Sequence, residues 1–422
     1  MLRKKGKPCR LKWFFCSQSS LKGVTSVTKL KKMGECLKLL HVIGSVNPAG
    51  GGPIEAIIQL ASVNKSHGHC VEVACLDAPA DPWVTACQLP CHALGPGFSS
   101  YRWSFRLTRW ISVNRHRFDA IIINGIWHYN SFGAWRALRN TDTPYFVYTH
   151  GMLDPWFKYR FPLKHIKKCF VWRWTDFRVL RDARAVLFTS KEECRLAPQS
   201  FKKFECQPVV INYGTAGSPF QGDICQKQFL ERFPKLGETC NLLFLGRLHE
   251  KKGVDLLLRA FAEVCASKIE PWRLVIAGPE GSEYADEMKK LAIQLGISHR
   301  VFWTGMLSDA LKWGAFYHAQ VFVLPSHQEN FGMAVAEALS CGLPVLISKK
   351  VNIWREIQEE GAGLVEEDDQ PGTTRLLKSW VEMPSRQRDA IRMAARPCFE
   401  RRFHAEKAAS SLIQTIRQCM SS

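Results

Sequence analysis

Two cations stand in one loop of this chain with four residues between them. The segment GRLHEKKG (246–253) carries Arg247 and Lys252, and it follows an apolar run and precedes a helical pattern. The free N–H groups and the dipole at a helix N-terminus attract anions, and the two side chains add full positive charges. The loop therefore suits a diphosphate, although a solvated basic turn would have the same sequence.

Two glutamates lie eight positions apart in SHQENFGMAVAEALSCGLPV (326–345). Glu329 falls in a loop and Glu337 in a helix predicted from about Met333 to Cys341, and Gly332 lets backbone N–H groups approach a ligand closely. Carboxylates accept hydrogen bonds from sugar and ribose hydroxyls. The segment predicts a ligand with two polyol ends and a charged middle. The alternative is one surface glutamate and one paired with a nearby cation.

Short apolar runs rich in Val, Ile and aromatic residues alternate with helical patterns along the chain. Such runs are typical of parallel strands that are buried on both faces. A turn-rich stretch, 212–223, separates two series of them. We therefore predict two doubly wound α/β domains, with the ligand site in the cleft at the carboxyl ends of the strands. The runs are 39–44, 71–75, 120–124, 145–149, 185–189 and 209–211, then 242–246, 274–278, 301–305, 321–325 and 344–347.

With both motifs in this order, residues 241–347 resemble the C-terminal half of a retaining glycosyltransferase of family four. The resemblance implies the GT-B fold, in which two Rossmann-like domains face each other across a cleft. It implies that Arg247 and Lys252 hold the diphosphate of a nucleotide-sugar donor. It further implies that Glu329 meets the hydroxyls of the donor sugar and Glu337 those of the ribose.

The resemblance implies further donor contacts by the backbone. The residues that would cradle the sugar and phosphate are Asn330, Phe331, Gly332 and Met333. The loops that begin at Gly278 and at Gly305–Met306 would approach the base.

The N-terminal half adds a glycine-rich loop and a histidine. NPAGGGP (47–53) joins the first strand to the first helix, so Gly51 and Gly52 would face the diphosphate, although a glycine run is often only a tight turn. THGMLDPW (149–156) follows a strand, and by resemblance His150 lies near the reaction centre. A histidine at such a place is also often structural. The expected catalytic residues are His150, Arg247, Lys252 and Glu329.

The resemblance implies a transfer that retains the anomeric configuration by front-face substitution, in which the leaving phosphate helps to take the acceptor proton. We therefore do not assign His150 as a general base. The chain contains no D-x-D pair, which sugar transferases often use to hold a divalent metal. Arg247, Lys252 and the helix dipole could neutralise the diphosphate instead. We expect no metal and no other cofactor.

The charge of the chain is concentrated in three segments. The 422 residues carry a net charge of +20. Residues 1–38 hold eleven Lys and Arg and one acid, 99–118 hold five and no acid, and 158–184 hold nine and two acids. We predict that 1–37 is a disordered basic extension, or that Met33 is the real start.

The predicted domains follow from the two series of strands. Residues 38–215 would bind the acceptor and 216–399 the donor, and a helix at about 400–422 would pack back on the first domain. The sixteen cysteines are scattered without a C-x-x-C, which indicates free thiols in a reducing compartment and disfavours zinc. No run of about 18 apolar residues predicts a transmembrane helix.

The acceptor is predicted from the basic segments of the first domain. Residues 99–110 and 156–174 interleave cations with aromatic residues, as expected of a surface that contacts anionic lipid. This favours a glycan or lipid-linked acceptor, such as a polyprenyl-diphosphate-linked sugar, and a cytoplasmic enzyme attached to the inner face of the plasma membrane. Alternatively the aromatic residues are buried. Trp127, His128 and Asn130 are acceptor candidates, with core packing as the alternative.

Other functions explain fewer of these features. A nucleotide-sugar epimerase of the same architecture remains open, as does a basic protein that binds nucleic acid or membrane without catalysis. No helix-turn-helix, RRM or zinc pattern supports a nucleic-acid partner. We expect a role in exopolysaccharide, cell-envelope or glycolipid biosynthesis. The residues do not identify the nucleotide, the sugar, the acceptor, the linkage or the oligomeric state.

Overall fold

The computed structural model describes residues 35–50, 52–237, 239–265 and 272–421. Residues Cys36–Ser422 form one compact unit. Most of the predicted extension, Met33 and the donor candidate Gly51 lie outside the described residues. Leu37 is buried, so the packed fold begins just inside the segment that was predicted to be an extension.

The first sheet is parallel, with the spatial order β3-β2-β1-β4-β5-β6-β7. Its central strands are the predicted apolar runs, which are buried on both faces because helices cover the sheet. The strands are β1 (Lys38–Ile43), β2 (Cys70–Cys75), β3 (Cys91–Ala93), β4 (Ala120–Asn124), β5 (Tyr145–Tyr148), β6 (Ala185–Phe188) and β7 (Pro208–Val210).

The second sheet is also parallel, with the order β10-β9-β8-β11-β12-β13. In each sheet the strand order reverses beside the first strand of the domain, at β1/β4 and at β8/β11, which is where such sheets bind ligands. The prediction of two doubly wound domains is confirmed. The strands are β8 (Cys240–Leu245), β9 (Trp272–Ala277), β10 (Val301–Gly305), β11 (Val321–Leu324), β12 (Val345–Ser348) and β13 (Gly363–Glu366).

Helices connect these strands and cover both sheets. In the first domain they are α1 (Gly52–Ser66), α2 (Pro82–Thr85), α3 (Phe105–Asn114), α4 (Tyr129–Leu138), α5 (Trp156–Arg160), α6 (Pro162–Trp172), α7 (Asp176–Arg181) and α8 (Lys191–Leu196). The remaining helices are α9 (Gly222–Arg232), α10 (Val254–Cys265), α11 (Glu283–Gln294), α12 (Asp309–His318), α13 (Met333–Ser340), α14 (Trp354–Glu359), α15 (Gln370–Val381), α16 (Ser385–Arg402) and α17 (Ala405–Ser421).

The chain passes between the two domains twice. The first passage is the turn-rich segment after β7, and the second is the junction of α16 and α17. The two passages pair through Thr215, whose N–H donates to Phe403 O and whose carbonyl accepts from Ala405 N, each at 3.0 Å. Helix α17 then packs on α1, where Ala408 and Ala409 contact Leu60. The last helix therefore lies against the first domain.

Two further observations concern the described ranges. None of their helices is both long enough and apolar enough to cross a membrane. The cysteines whose side chains the structure describes are free thiols.

Candidate active site

The loops after β8 and β11 lie side by side, because these strands are neighbours at the centre of the second sheet. Gly253 ends the first loop with a φ of +67°, a conformation that favours glycine. A Cβ at Gly253 would lie 2.2 Å from the carbonyl oxygen of Pro325, where the second loop begins. The glycine therefore allows the two predicted motifs to touch.

Lys252 and Glu329 form an ion pair between these loops. Burial acts to raise the pKa of Glu329, but the charges of Lys252, Lys251 and Arg247 outweigh it and lower the pKa below its usual value. Glu329 is thus held ionised, as an acceptor of hydrogen bonds. Arg247 is exposed at the edge of this cluster.

Helix α13 begins beside the ion pair. Its N-cap is Gly332, whose φ is +76°. The side chain of Phe331 is buried and packs against Tyr213 and Phe403. Met333, the first residue of the helix, faces the glycine-rich loop of the first domain. A Cβ on Gly52 would lie 3.8 Å from Met333 Cγ. The N-terminus of α13 and the glycine-rich loop therefore face each other.

Glu337 lies one turn into α13 and pairs with Lys312 of α12 at 2.8 Å. Burial raises the pKa of Glu337, Lys312 opposes the shift, and Glu55 of α1 adds to it. Lys312 could not be predicted from the sequence, because α12 reaches α13 only through the packing of the sheet. Each predicted glutamate therefore has a lysine partner.

His150 lies at the carboxyl end of β5 with a φ of +48°, which is uncommon for a residue other than glycine. Its Nε2 lies 3.2 Å from Asn124 Oδ1, and its ring stacks on Tyr148 with the centroids 5.3 Å apart. Burial, and then the nearby His41, lower the pKa of His150 to about 3. The imidazole is therefore neutral at physiological pH.

Glu193 was missed by the sequence analysis, and it holds the backbone around His150. Its side chain is buried, with Oε1 accepting hydrogen bonds from Thr149 Oγ1 and Gly151 N, both at 2.7 Å. Oε2 accepts from the N–H and the hydroxyl of Thr189, both at 2.8 Å. A signal was present, because Ser190 and Glu193 have the S-x-x-E spacing of a capping box. Here the carboxylate reaches past the helix end to another loop.

The two domains meet directly at this point. Asn330 Nδ2 donates to Thr189 Oγ1 at 3.1 Å. Gly151 is needed for this approach, since a Cβ there would lie 2.6 Å from Asn330 Cβ. The loop that carries His150 and the loop that carries Asn330 are therefore in contact, as a site shared by both domains requires.

The two candidates for base contacts lie at the carboxyl ends of β9 and β10. Gly278 is buried, and a Cβ there would lie 2.2 Å from Gly246 O, so this glycine lets the β8 and β9 loops pack closely. Met306 follows β10 and is 73% exposed. An exposed side chain at this edge is available to a planar ligand.

The three acceptor candidates have different surroundings. Asn130 is buried and donates to Asn124 O at 3.1 Å, so it shapes the loop instead of facing a ligand. His128 is exposed, with Nδ1 at 3.3 Å from the position that a Cβ on Gly44 would take. Trp127 is half-buried, and Lys168 Nζ lies 4.1 Å from its ring centroid.

A metal site was not expected from the sequence. Among the side chains that the structure describes, no three His, Cys, Asp or Glu residues come together as metal ligands would. A reaction without metal remains a prediction.

A cavity of about 570 Å³ is lined in part by Lys251, the chain neighbour of Lys252. Its walls come from both domains, and Arg160 Nη2 of α5 pairs with Glu250 Oε2 across it at 2.6 Å. The cluster as a whole offers cations and a helix N-terminus for a diphosphate, ionised and buried carboxylates for hydroxyls, and a neutral histidine opposite.

Family models match most of the chain. One described as a glycosyl transferase 4-like domain matches residues 51–210, and one described as glycosyl transferases group 1 matches residues 227–396.

Individual relatives are identical to this chain at about a third or fewer of the aligned positions. An uncharacterised glycosyltransferase of Methanocaldococcus jannaschii is 33% identical over 145 residues, 33% of this chain and 36% of that protein. The GDP-mannose:cellobiosyl-diphosphopolyprenol alpha-mannosyltransferase of Xanthomonas campestris is 27% identical over 343 residues, 78% and 83% of the two chains. The chain spans only 36% and 42% of the length of the first two curated relatives it matches.

Solved structures share the fold. The crystal structure of HepE from Anabaena in complex with UDP has a TM-score of 0.72 at 16% identity, covering 90% of this chain and all of that one. At this identity the likeness establishes the two-domain architecture alone.

Proposed function

Because the chain belongs to the glycosyl transferases of group 1 and has their two-domain GT-B fold, we propose that it is a retaining glycosyltransferase. It moves a sugar from a nucleotide-sugar donor to a glycan or lipid-linked acceptor. The observation that carries this proposal is the Lys252–Glu329 pair beside the N-terminus of α13. It brings together a cation for phosphate, a carboxylate for hydroxyls and free backbone N–H groups.

The donor spans the cleft between the two domains. Its diphosphate lies by Arg247, Lys252 and the N-terminus of α13, where fixed positive charge stabilises the leaving phosphate. Glu329 is ionised and accepts hydrogen bonds from the donor sugar. Glu337 accepts hydrogen bonds from the ribose hydroxyls, and Lys312 is its counter-ion. The loops at Gly278 and Met306 lie beside the base.

The chemistry proceeds on one face of the sugar. The bond from the acceptor oxygen to the anomeric carbon forms as the bond from that carbon to the phosphate oxygen breaks, and the acceptor proton passes to the phosphate. His150 is neutral because burial lowers its pKa, so it positions the donor through a hydrogen bond and does not supply a charge. Positioning and electrostatic stabilisation account for most of the rate. No metal is needed.

The acceptor is presented at an anionic membrane surface, with the enzyme attached to the inner face of the plasma membrane. Helix α6 supports this part of the proposal. Leu163, Ile166 and Phe170 share one face of the helix and are 76%, 53% and 76% exposed. Lys167 lies beside this face, and a cation beside exposed apolar side chains suits anionic lipid. We call the three apolar residues with Lys167 the α6 outer face.

The other basic segment gives weaker support. In residues 99–110, Phe105 is 68% exposed, whereas Trp103 and Trp110 pack against the core of the first domain. Burial of these aromatic residues, the alternative left open by the sequence, therefore applies to part of this segment. The main membrane contact is the α6 outer face.

A donor screen in EDTA tests the proposal. The full chain is incubated with UDP-, GDP- and ADP-sugars, and thermal stabilisation and nucleotide release are read with and without a membrane lipid extract. Stabilisation by one nucleotide sugar, with turnover only when lipid is added, supports the transferase and identifies the donor. Conversion of the donor without any acceptor would indicate an epimerase instead. No response to any nucleotide sugar, with or without added Mg²⁺, contradicts the donor site.

A further inference from the structure

A second cavity, of about 70 Å³, lies in the first domain between helix α6 and the loop that follows His150. Met152 and Asp154 of that loop form one wall, and Lys164 and Lys168 of α6 form another. This volume exceeds what one water molecule needs, so the cavity has room for a small polar group. Lys164 is exposed, so the cavity opens at the protein surface.

Aromatic and apolar side chains form much of the lining of this cavity, and lysines supply most of its charged groups. Lys158, Lys164 and Lys168 contribute three lysines, and Asp154 is the acid among the lining residues. Asp154 is already engaged, because Oδ1 accepts a hydrogen bond from Trp156 N at 2.8 Å. Burial raises the pKa of its carboxyl, which reduces its negative charge. The cavity therefore favours an anion.

Lys168 is the innermost cation. It is half-buried, with Nζ 4.1 Å from the ring centroid of Trp127. Burial lowers its pKa, and Asp176 opposes the shift, so a carboxylate behind the cavity helps to keep the lysine charged. Asp176 itself accepts a hydrogen bond from Ser131 Oγ at 2.8 Å.

Hydrogen bonds connect residues that line the cavity to the loop of the candidate active site. Trp127 Nε1 donates to Met152 O at 3.3 Å, and Ser200 Oγ donates to Leu153 O at 2.7 Å. These carbonyls are two and three residues from His150. A group bound in the cavity therefore lies beside the loop that positions the reaction centre.

Helix α6 has opposite faces with different roles. Residues 163, 166, 167 and 170 form the α6 outer face, whereas Lys164, His165 and Lys168 share the opposite side and line the cavity. This division follows from 3.6 residues per turn. A phosphate at the membrane surface can thus enter past Lys164 while the outer face contacts lipid.

We propose that this cavity binds the phosphate or diphosphate group of the acceptor, and so fixes the acceptor at the reaction centre. The inference rests on the proposed transferase function for the identity of the ligand as acceptor. The shared chemistry is a phosphate group, carried either by a membrane lipid or by a soluble molecule.

The test measures diphosphate binding to the full chain in an Arg247→Ala, Lys252→Ala background, which removes the cations of the donor site. One arm uses inorganic pyrophosphate, read by calorimetry. The other uses phosphatidylcholine vesicles with and without farnesyl diphosphate, read by co-sedimentation. Lys168→Gln and Lys164→Gln are compared with Lys65→Gln, which removes the same charge from an exposed position on α1, outside both the cavity and the α6 outer face.

We expect Lys168→Gln to weaken diphosphate binding at least about tenfold, because a charge-assisted contact is lost. Lys164→Gln, at the exposed rim, weakens it as well, and Lys65→Gln changes it less than about twofold. Loss in both arms assigns a lipid-borne phosphate, and loss with pyrophosphate alone assigns a soluble one.

Equal effects of Lys65→Gln and Lys168→Gln, or no effect of either cavity variant, would overturn the proposal in favour of general surface attraction. Thermal unfolding of each variant separates lost binding from lost folding, and Lys164→Gln is too exposed to affect the core. Donor binding by the unmodified chain is measured separately. A failed donor screen therefore contradicts the transferase function without testing phosphate binding in the cavity. A failed test of phosphate binding contradicts the cavity proposal without testing the transferase function.

Discussion

Asn330 of the second domain donates a hydrogen bond to the hydroxyl of Thr189 in the first, with 3.1 Å between Nδ2 and Oγ1. The same hydroxyl donates to the buried carboxylate of Glu193, which also accepts from the Thr149 hydroxyl and the Gly151 N–H, on the two sides of His150. A residue whose backbone is expected at the donor sugar is thus connected, through its side chain, to the loop of the expected catalytic histidine. Neither domain alone contains this arrangement.

The buried carboxylate of Glu193 should be essential to the first domain. Four groups donate hydrogen bonds to the carboxylate of Glu193. Glu193→Gln replaces one of its two acceptor oxygens by an NH₂ group, so two of these four groups would then face a donor instead of an acceptor. Since each unsatisfied buried group costs about 1–3 kcal/mol, we expect the free energy of unfolding to fall by about 3 kcal/mol. Urea denaturation measures it, with the exposed Glu231→Gln as the control. Equal midpoints for the two variants would show that the hydrogen bonds contribute little.

Lys252 should carry much of the stabilisation of the leaving diphosphate. We expect Lys252→Ala to lower kcat at least about 100-fold, the scale of losing one preorganised electrostatic contact. The measurement is steady-state turnover with the donor found by the screen. Lys349→Ala removes a lysine from a more exposed ion pair with Glu367 and should leave kcat within about twofold. An unchanged kcat in Lys252→Ala would sink the assignment.

The pH dependence of donor binding should report Glu337. Its pKa is raised by burial and only partly restored by Lys312, so KM for the donor should fall as pH rises through that pKa and the carboxylate forms. Lys312→Met removes the opposing charge and should move this transition upward by about one pH unit or more. Lys290→Met, on the exposed face of α11, is the control. If the pH of this transition is unchanged in Lys312→Met, Lys312 does not influence the carboxylate at the ribose site.

Buried histidines should make the fold sensitive to acid. Burial lowers the pKa of His41 to about 4, whereas an unfolded histidine titrates near 6.5. Stability is therefore complete above about pH 6.5 and is lost as pH falls toward 4, because the unfolded chain takes up the proton first. His41 should contribute about 2 kcal/mol of this loss between pH 6.5 and 5. Urea midpoints of His41→Asn across this range should decline less steeply than those of the parent protein, and parallel curves would contradict the assignment.

The α6 outer face should mediate membrane attachment. Leu163→Ser with Phe170→Ser removes two exposed apolar side chains, each able to contribute about 1.5–3 kcal/mol when buried in lipid. We expect binding to vesicles with anionic lipid, at moderate salt, to fall more than about tenfold. Ile293→Ser, at an exposed helical position in the second domain, should have no effect. Absence of binding by the unaltered protein would remove the membrane proposal entirely.

The central strands could be predicted because burial on both faces leaves a continuous apolar run. Two strands escaped this signal, β3 (CHA) and β13 (GLVE). Each is an edge strand of three or four residues, and each is only half-buried. Edge strands gain their structure from the neighbouring strand, so their own residues need no distinctive pattern.

The donor motifs could be predicted because each lies within one short segment of chain. Their partners could not, since they come from other elements. Lys312 reaches Glu337 only because α12 packs beside α13, and Glu193 reaches Gly151 across 42 residues of chain. Asn130 has a polar side chain of the kind that binds ligands, but this side chain is buried. Only the tertiary structure reveals its burial.

The sequence by itself determined the two parallel sheets, the order of the motifs and the residues that bring charge to the cleft, because these follow from local periodicity and spacing. The tertiary structure decided the protonation of those residues and their mutual contacts. Burial makes His150 neutral, cations keep Glu329 ionised, and Asn330 meets Thr189 through the apposition of two domains. Desolvation and long-range contact depend on which surfaces pack together, and that information is spread over the whole chain.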